Sequence, residues 1–295
     1  MVKPSSKKEV IYHWQKKYNA SIQRMCILVG LARSLFYRQS VKDDTQVEEK
    51  LRGLASEFPT RGFDWYYGKV RGEGLKWNRK RVLRVYRKLN LVKRRKVKKR
   101  VNKPYTDFLL YPVVPNVTWS MDFMSDSLED GRRIRVFNII DDYNREALSI
   151  EVGLSFPSQR VVRVLDRLKE ERGLPDQIRV DNGPEFISYV LKDYCEKNEI
   201  KLLFIPPGKP NKNGLIERFN RTYREDILDA YIFETISQVQ ITSDLWREKY
   251  NTGHPHQSLG GQSPVEFRLA RHKTIEAYEL VKAKMNADLR VVSLD

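Results

Sequence analysis

Three carboxylates in this chain occupy positions suited to holding divalent cations. Asp122 lies between Met121 and Phe123 in the apolar run VTWSMDFM, where an unpaired charge is costly to bury and a partner or a cation is required. Asp181 ends QIRVD just before Asn182-Gly183-Pro184, at the carboxyl edge of an expected parallel strand, where α/β sheets place their ligands. Its bland alternative is a strand-end or helix-capping aspartate. Glu217 follows with 35 residues between it and Asp181. Arg221 and Arg224 stand four and seven positions after it and share its helical face. Alone, such a Glu–Arg pair is an ordinary surface pair.

Brought together, three such acids make an oxygen-lined site that suits Mg²⁺, which keeps waters and takes substrate phosphate oxygens besides a few carboxylates. Two ions about 4 Å apart would activate an attacking oxygen and stabilise a leaving one. Asp126, Asp141 and Asp142 are rival acids; the last two end a strand and read as turn formers before Asn144.

The elements that must position these residues follow from periodicity. VTWSMDFM, RIRVFNIIDDY and EALSIEVG are rich in β-branched and aromatic residues and predict three consecutive antiparallel strands. SQRVVRVLDRLKEERG then reads as a helix, DQIRVD as a strand, PEFISYVLKDYCEKN as a helix, IKLLFI as a strand and NGLIERFNRTYREDILDAY as a helix. This order describes a ribonuclease-H-like α/β core, a mixed five-stranded sheet flanked by helices, over residues 105–268.

Upstream, residues 1–44 read as a short helix-turn-helix-like unit. There Ile22, Met25, Cys26 and Val29 have helical spacing, the chain turns at Gly30 and restarts through Ala32 to Tyr37. Residues 45–92 read as a second all-α, helix-turn-helix DNA-binding domain. In it LKWNRKRVLRVYRKLNL offers Asn78 as N-cap, with Val82, Val85, Tyr86 and Leu89 on one face and Arg79, Lys80, Arg84, Arg87 and Lys88 on the other. The basic face suits a helix laid against DNA. KRRKVKKRVNKP, residues 93–104, includes Arg94 and Arg95 and reads as an extended linker tracking phosphates. Residues 269–295 form a C-terminal extension with no assigned role.

Charge supports a polyanionic partner. Residues 1–104 hold 29 Lys and Arg against 8 Asp and Glu, a net of +21, and the remainder holds 26 against 30, a net of −4. Clustered cations of this kind favour nucleic acid through counterion release. Cys26 and Cys195 are expected as reduced thiols, and the four histidines, His13, His254, His256 and His272, offer no zinc site. No run of eighteen apolar residues and no apolar leader is present, so the expectation is a cytoplasmic protein, associated with the nucleoid when on DNA, with no membrane partner.

WSMDF, RVDNGPEF and GKPNKNGLIERFNRTYRE, with their spacing and a basic residue seven after the Glu, resemble the catalytic core of DDE transposases and retroviral-type integrases. WREKYNTGHPHQSLGGQSPVEF resembles the C-terminal signature of transposases of the insertion-sequence-three family, and RGFDWYYGKVRGEGLKWNRKRVLRVYRKLNL is similar to that family's helix-turn-helix segment. The resemblance spans roughly residues 20–267 and corresponds to the product of the element's second reading frame. Two positions depart from the pattern: His254 stands where the family usually has Arg, and Val180 where it often has Ser.

The resemblance implies Mg²⁺-dependent phosphoryl transfer in DNA, two ions per site when DNA is bound, with Mn²⁺ able to substitute. Water attack at the element's end would free a 3′ hydroxyl, which attacks a second phosphodiester without a covalent enzyme intermediate and gives a branched species and then a circle before integration. Asp122, Asp181 and Glu217 would be the catalytic metal ligands. Asn213, Arg221 and Arg224, with Lys209 and Lys212 on the preceding loop, would orient DNA phosphates. Expected partners are double-stranded DNA, as terminal inverted repeats and target, further copies of the chain, and an upstream-frame DNA-binding product, separate or fused by frameshift. The alternatives are a catalytically silent transposase-derived DNA-binding protein and a ribonuclease-H-type nuclease.

Overall fold

The computed structural model describes residues 4–38, 43–92, 112–206 and 213–278. Arg94 and Arg95 with the rest of the expected linker, Lys209, Lys212 and the chain beyond 278 lie outside the described residues. The chain forms two compact units, divided between Glu49 and Lys50.

The first unit holds helices α1 (Pro4–Tyr18), α2 (Ile22–Leu28) and α3 (Arg33–Tyr37). Ile11, Met25, Cys26, Leu31 and Phe36 make its small core. The turn expected at Gly30 is present: its φ of +58° is a left-handed conformation natural to glycine, and its carbonyl accepts from Lys7 Nζ at 3.0 Å. Helix α4 (Thr45–Glu57) crosses the division between the units.

In the second unit, FDWYYGKVRGEG folds as α5 (Phe63–Gly72), followed by α6 (Arg79–Lys88). Asn78 caps α6 as expected, its side-chain oxygen accepting from Lys80 N at 2.8 Å. Val82, Val85 and Tyr86 are buried, Tyr86 against Phe63 and Tyr66, while Lys80, Arg84, Arg87 and Lys88 are exposed.

The core sheet has five strands: β1 (Thr118–Ser127), β2 (Arg133–Asp141), β3 (Ala147–Gly153), β4 (Gln177–Val180) and β5 (Lys201–Phe204). Their order is β3-β2-β1-β4-β5, with β1, β2 and β3 antiparallel and β4 and β5 parallel to β1. This is the mixed sheet expected from the alternation of elements. Side chains alternate across β1: Trp119 and Met121 enter a core with α7 (Ser158–Arg172), α8 (Pro184–Ile187) and α9 (Tyr189–Lys197). Met124 enters a second core on the other face, with α10 (Gly214–Tyr223) and α11 (Ile236–Gly253).

The single helix expected over PEFISYVLKDYCEKN is divided. Ser188 is extended, with ψ of 147°, and its hydroxyl accepts from Leu191 N at 3.3 Å, so it ends α8 and caps α9. Beyond α10 the chain makes one π-helical turn, Arg224–Leu228. A short helix α12 (Pro264–Leu269) follows α11, opened by a capping box of Ser263 and Glu266.

Strand β3 is an edge, and α11 covers part of it with side chains. Gln240 accepts from Val152 N and donates to Ile150 O, Asn251 accepts from and donates to Ala147, and Arg247 donates to Leu148 O, all at 2.7–2.9 Å.

Candidate active site

Asp122 sits midway along β1, between β2 and β4, on the face toward α10. Its backbone pairs with Asn138 of β2. One carboxylate oxygen accepts from Phe123 N at 2.8 Å and the other from Asn220 Nδ2 at 2.7 Å. Burial, together with the negative charges of Asp181 and Glu217, pushes the Asp122 carboxyl up to about 6, against the two hydrogen bonds. Asp181 and Glu217 thus both lie within electrostatic reach of Asp122.

Asp181 follows the last residue of β4. It is exposed, and its Oδ1 accepts from Gly183 N at 2.9 Å, an Asx turn that orients the carboxylate; Asn182 ties the same turn to Ile205 O. Glu217 stands exposed in the first turn of α10, where Ile216 and Phe219 enter the core and leave position 217 on the outer face.

Among the described residues no three His, Cys, Asp or Glu side chains are drawn close enough to ligate one ion. The donor set nevertheless suits a hard cation: three carboxylates, one partly buried and its charged form disfavoured by the other two, are what a divalent ion would relieve.

Two further residues belong to this site. Asn220 is one helical turn beyond Glu217 and donates to Asp122, and its Oδ1 accepts from Asn138 Nδ2 at 2.7 Å. The available signals were a polar residue three positions after Glu217 and a lone Asn inside the apolar run VFNII.

The flanking residues divide. Arg221 is exposed beside Glu217. Arg224 is held by the protein: Nη1 meets Asp126 at 3.1 Å and Asp229 at 3.6 Å, and Nη2 donates to Ser125 O at 2.7 Å. Asn213 precedes α10, buried, its Oδ1 without a partner among the described residues. Arg79 pairs with Asp64 and lies over Phe63. The rival acids Asp141 and Asp142 are buried in structural roles. Asp141 accepts from Asn116 N and Tyr143 N; Asp142 pairs with Arg179 and accepts from Ser120 Oγ.

The α5 region is seated on the core by a polar cluster. Thr60 and Arg61 both engage Asp226, which also accepts from Trp246 Nε1 at 2.8 Å, and Trp65 Nε1 donates to His254 Nδ1 at 3.0 Å. Burial, aided by Arg61, holds His254 well below its ordinary pKa, so the ring is neutral and able to accept. An arginine at this position has no acceptor for Trp65.

Two families described as integrase core domain match the chain, over residues 112–210 and 198–264. An uncharacterized 31.7 kDa protein of insertion element IS407 from Burkholderia multivorans is 35% identical over 265 residues, 89% of this chain and 96% of that protein. A 39.2 kDa protein of insertion element IS476 from Xanthomonas euvesicatoria is 34% identical over 282 residues, 94% of this chain and 81% of that one. Transposase InsD of insertion element IS2 from Escherichia coli is 26% identical over 239 residues, 76% of this chain and 79% of that protein. Among solved structures, the HTLV-2 integrase catalytic core domain in complex with magnesium aligns at a TM-score of 0.42 and 19% identity, covering 53% of this chain and 98% of that one. With two insertion-element relatives 34–35% identical and matched over 81–96% of their length, and the integrase core spanning its sheet, the chain belongs to the insertion-element transposases that carry an integrase core domain.

Proposed function

We propose that this transposase cleaves DNA strands at the ends of its insertion element and joins them to new phosphodiesters, using Asp122, Asp181 and Glu217 to hold divalent cations. The observation that carries the reading is Asp122, placed inside the central strand and electrostatically coupled to the other two acids from β4's end and α10. Mg²⁺ is the proposed ion, two per site with DNA present, and Mn²⁺ a substitute; when bound they supply Lewis-acid activation of the attacking oxygen and charge stabilisation of the leaving one.

The protein's own groups do the positioning. Phe123 N–H and Asn220 fix both oxygens of Asp122, and Gly183 N–H holds one oxygen of Asp181 in its turn. Arg221, with Asn213, Lys209 and Lys212, engages phosphates beside Glu217, and Arg224 joins them once it leaves Asp126. The basic face of α6, Arg79, Lys80, Arg84, Arg87 and Lys88, with Arg94 and Arg95 beyond it, contacts the duplex carrying the terminal repeat. The working form is an oligomer on DNA, with or without an upstream-frame partner, in the cytoplasm and on the nucleoid.

The test is a cleavage-and-joining assay on labelled element ends with Mg²⁺, comparing wild type with Glu217→Gln. Loss of a metal ligand removes several kcal/mol of transition-state stabilisation, so both steps should fall by about a thousandfold. Equal activity in the two proteins sinks the metal-site reading. Cleavage without joining, with RNA–DNA hybrids preferred, would instead mark a nuclease.

A further inference from the structure

Asn138 is a polar residue where an apolar one would pack. It is fully buried on β2, on the same face as Val136 and Ile140, which line the core beneath α10 with Ile216 and Phe219. Its Oδ1 is buried without a hydrogen-bond partner among the described residues, an arrangement that costs stability. Its Nδ2 is well used, meeting Met124 Sδ at 3.3 Å and donating to Asn220 Oδ1 at 2.7 Å.

The second contact explains the first. A free Asn220 amide could turn either end toward Asp122, and its oxygen end would repel the carboxylate. Asn138 occupies that oxygen, so only the Nδ2 end is left for Asp122, and the Asn220 side chain is held at both ends. Asn138 is also the backbone partner of Asp122, so the relay Asn138–Asn220–Asp122 closes on itself across β1, β2 and α10. We infer that Asn138 is a positioning residue, which acts through Asn220 to hold the Asp122 carboxylate in the orientation that receives a divalent cation. The unsatisfied Oδ1 is the cost of that placement. The inference rests on the divalent-cation reading of the site.

Asn138→Leu and Asn138→Val test it, the second variant serving if the first does not fold. Thermal melting without divalent ions, direct Mn²⁺ binding by electron paramagnetic resonance and the Mg²⁺ dependence of strand cleavage are measured, each also in an Asn220→Ala background. Removing an outer partner of a ligand should weaken Mn²⁺ binding and raise half-saturating Mg²⁺ by roughly tenfold or more. Melting should stay within a few degrees of wild type, because one orphaned oxygen is exchanged for another. Adding Asn220→Ala should cause no further loss beyond that of Asn220→Ala alone. Unchanged Mn²⁺ binding in a variant that melts like wild type overturns the inference, and so do fully additive effects or a loss that tracks melting. A wild type that binds Mn²⁺ but does not cut DNA overturns the proposed function, and the Mn²⁺ measurements still decide the role of Asn138.

Discussion

Arg224 shares the helical face of Glu217 yet spends its charge inside the molecule, on Asp126, Asp229 and the carbonyl of Ser125. A phosphate must compete with these acceptors for the guanidinium. Asp126→Asn removes the main competitor, so DNA binding should tighten and its logarithmic salt dependence should steepen by about one unit as a further phosphate contact forms. Fluorescence anisotropy across a salt series reads both, and an unchanged slope would show that Asp126 does not withhold Arg224. Patterns in the sequence single out Asp122, Asp181 and Glu217 as candidates because an acid in an apolar strand, an acid before Asn-Gly-Pro and a fixed interval are each conspicuous. They do not reveal Asp126 as the partner of Arg224, nor Asn138 and Asn220, because these contacts join residues 82–98 positions apart and leave no periodic trace.

At the scale of elements, the meander and the alternation after it were legible because β-branched runs and helical periodicity both persist over whole segments. The break at Ser188 was hidden, since PEFISYVLKDYCEKN keeps its helical spacing through a residue that leaves the helix to cap the next one. Also hidden was the use of polar residues on α11 to cover the outer edge of β3, which on a helix wheel look like an ordinary solvated face. Replacing Gln240 and Asn251 together by alanine should cost about 1–3 kcal/mol for each backbone group left buried and unpaired. It should also open an edge for pairing between copies. Urea unfolding and concentration-dependent light scattering measure the two effects; a variant as stable and as monodisperse as the parent would remove this role.

For the whole molecule, two sets of buried groups oppose one another as pH changes. His254 and His256 have lowered pKa values, His256 to about 3, mainly through burial. Their neutral rings favour the folded state fully above the ordinary value of 6.5, and this stability is lost as pH falls, by up to about 1.4 kcal/mol per unit for each. Asp122 and Asp141 are raised to about 6, mainly by burial, so their contribution is full below 3.8 and is lost as pH rises through 6. Between these limits the contributions offset. With His254 and His256 both changed to Gln, the acids act alone, and the melting temperature of the variant relative to wild type should climb as pH drops from about 6.5 to 4.5. A constant difference across that series would show that the rings are not held neutral.

Asp226 gives this architecture a mechanical property. It lies two residues beyond Arg224, inside the π-helical turn that continues α10, and it is where Thr60 and Arg61 grip the core. The segment that leads into α5 and the turn that continues the helix of Glu217 are therefore joined at one carboxylate. Were α5 and α6 to carry a duplex as proposed, a load that tilts them would act through Arg61 and Asp226 on the turn that directly follows the helix of Glu217, so gripping and cutting would be mechanically coupled through one carboxylate.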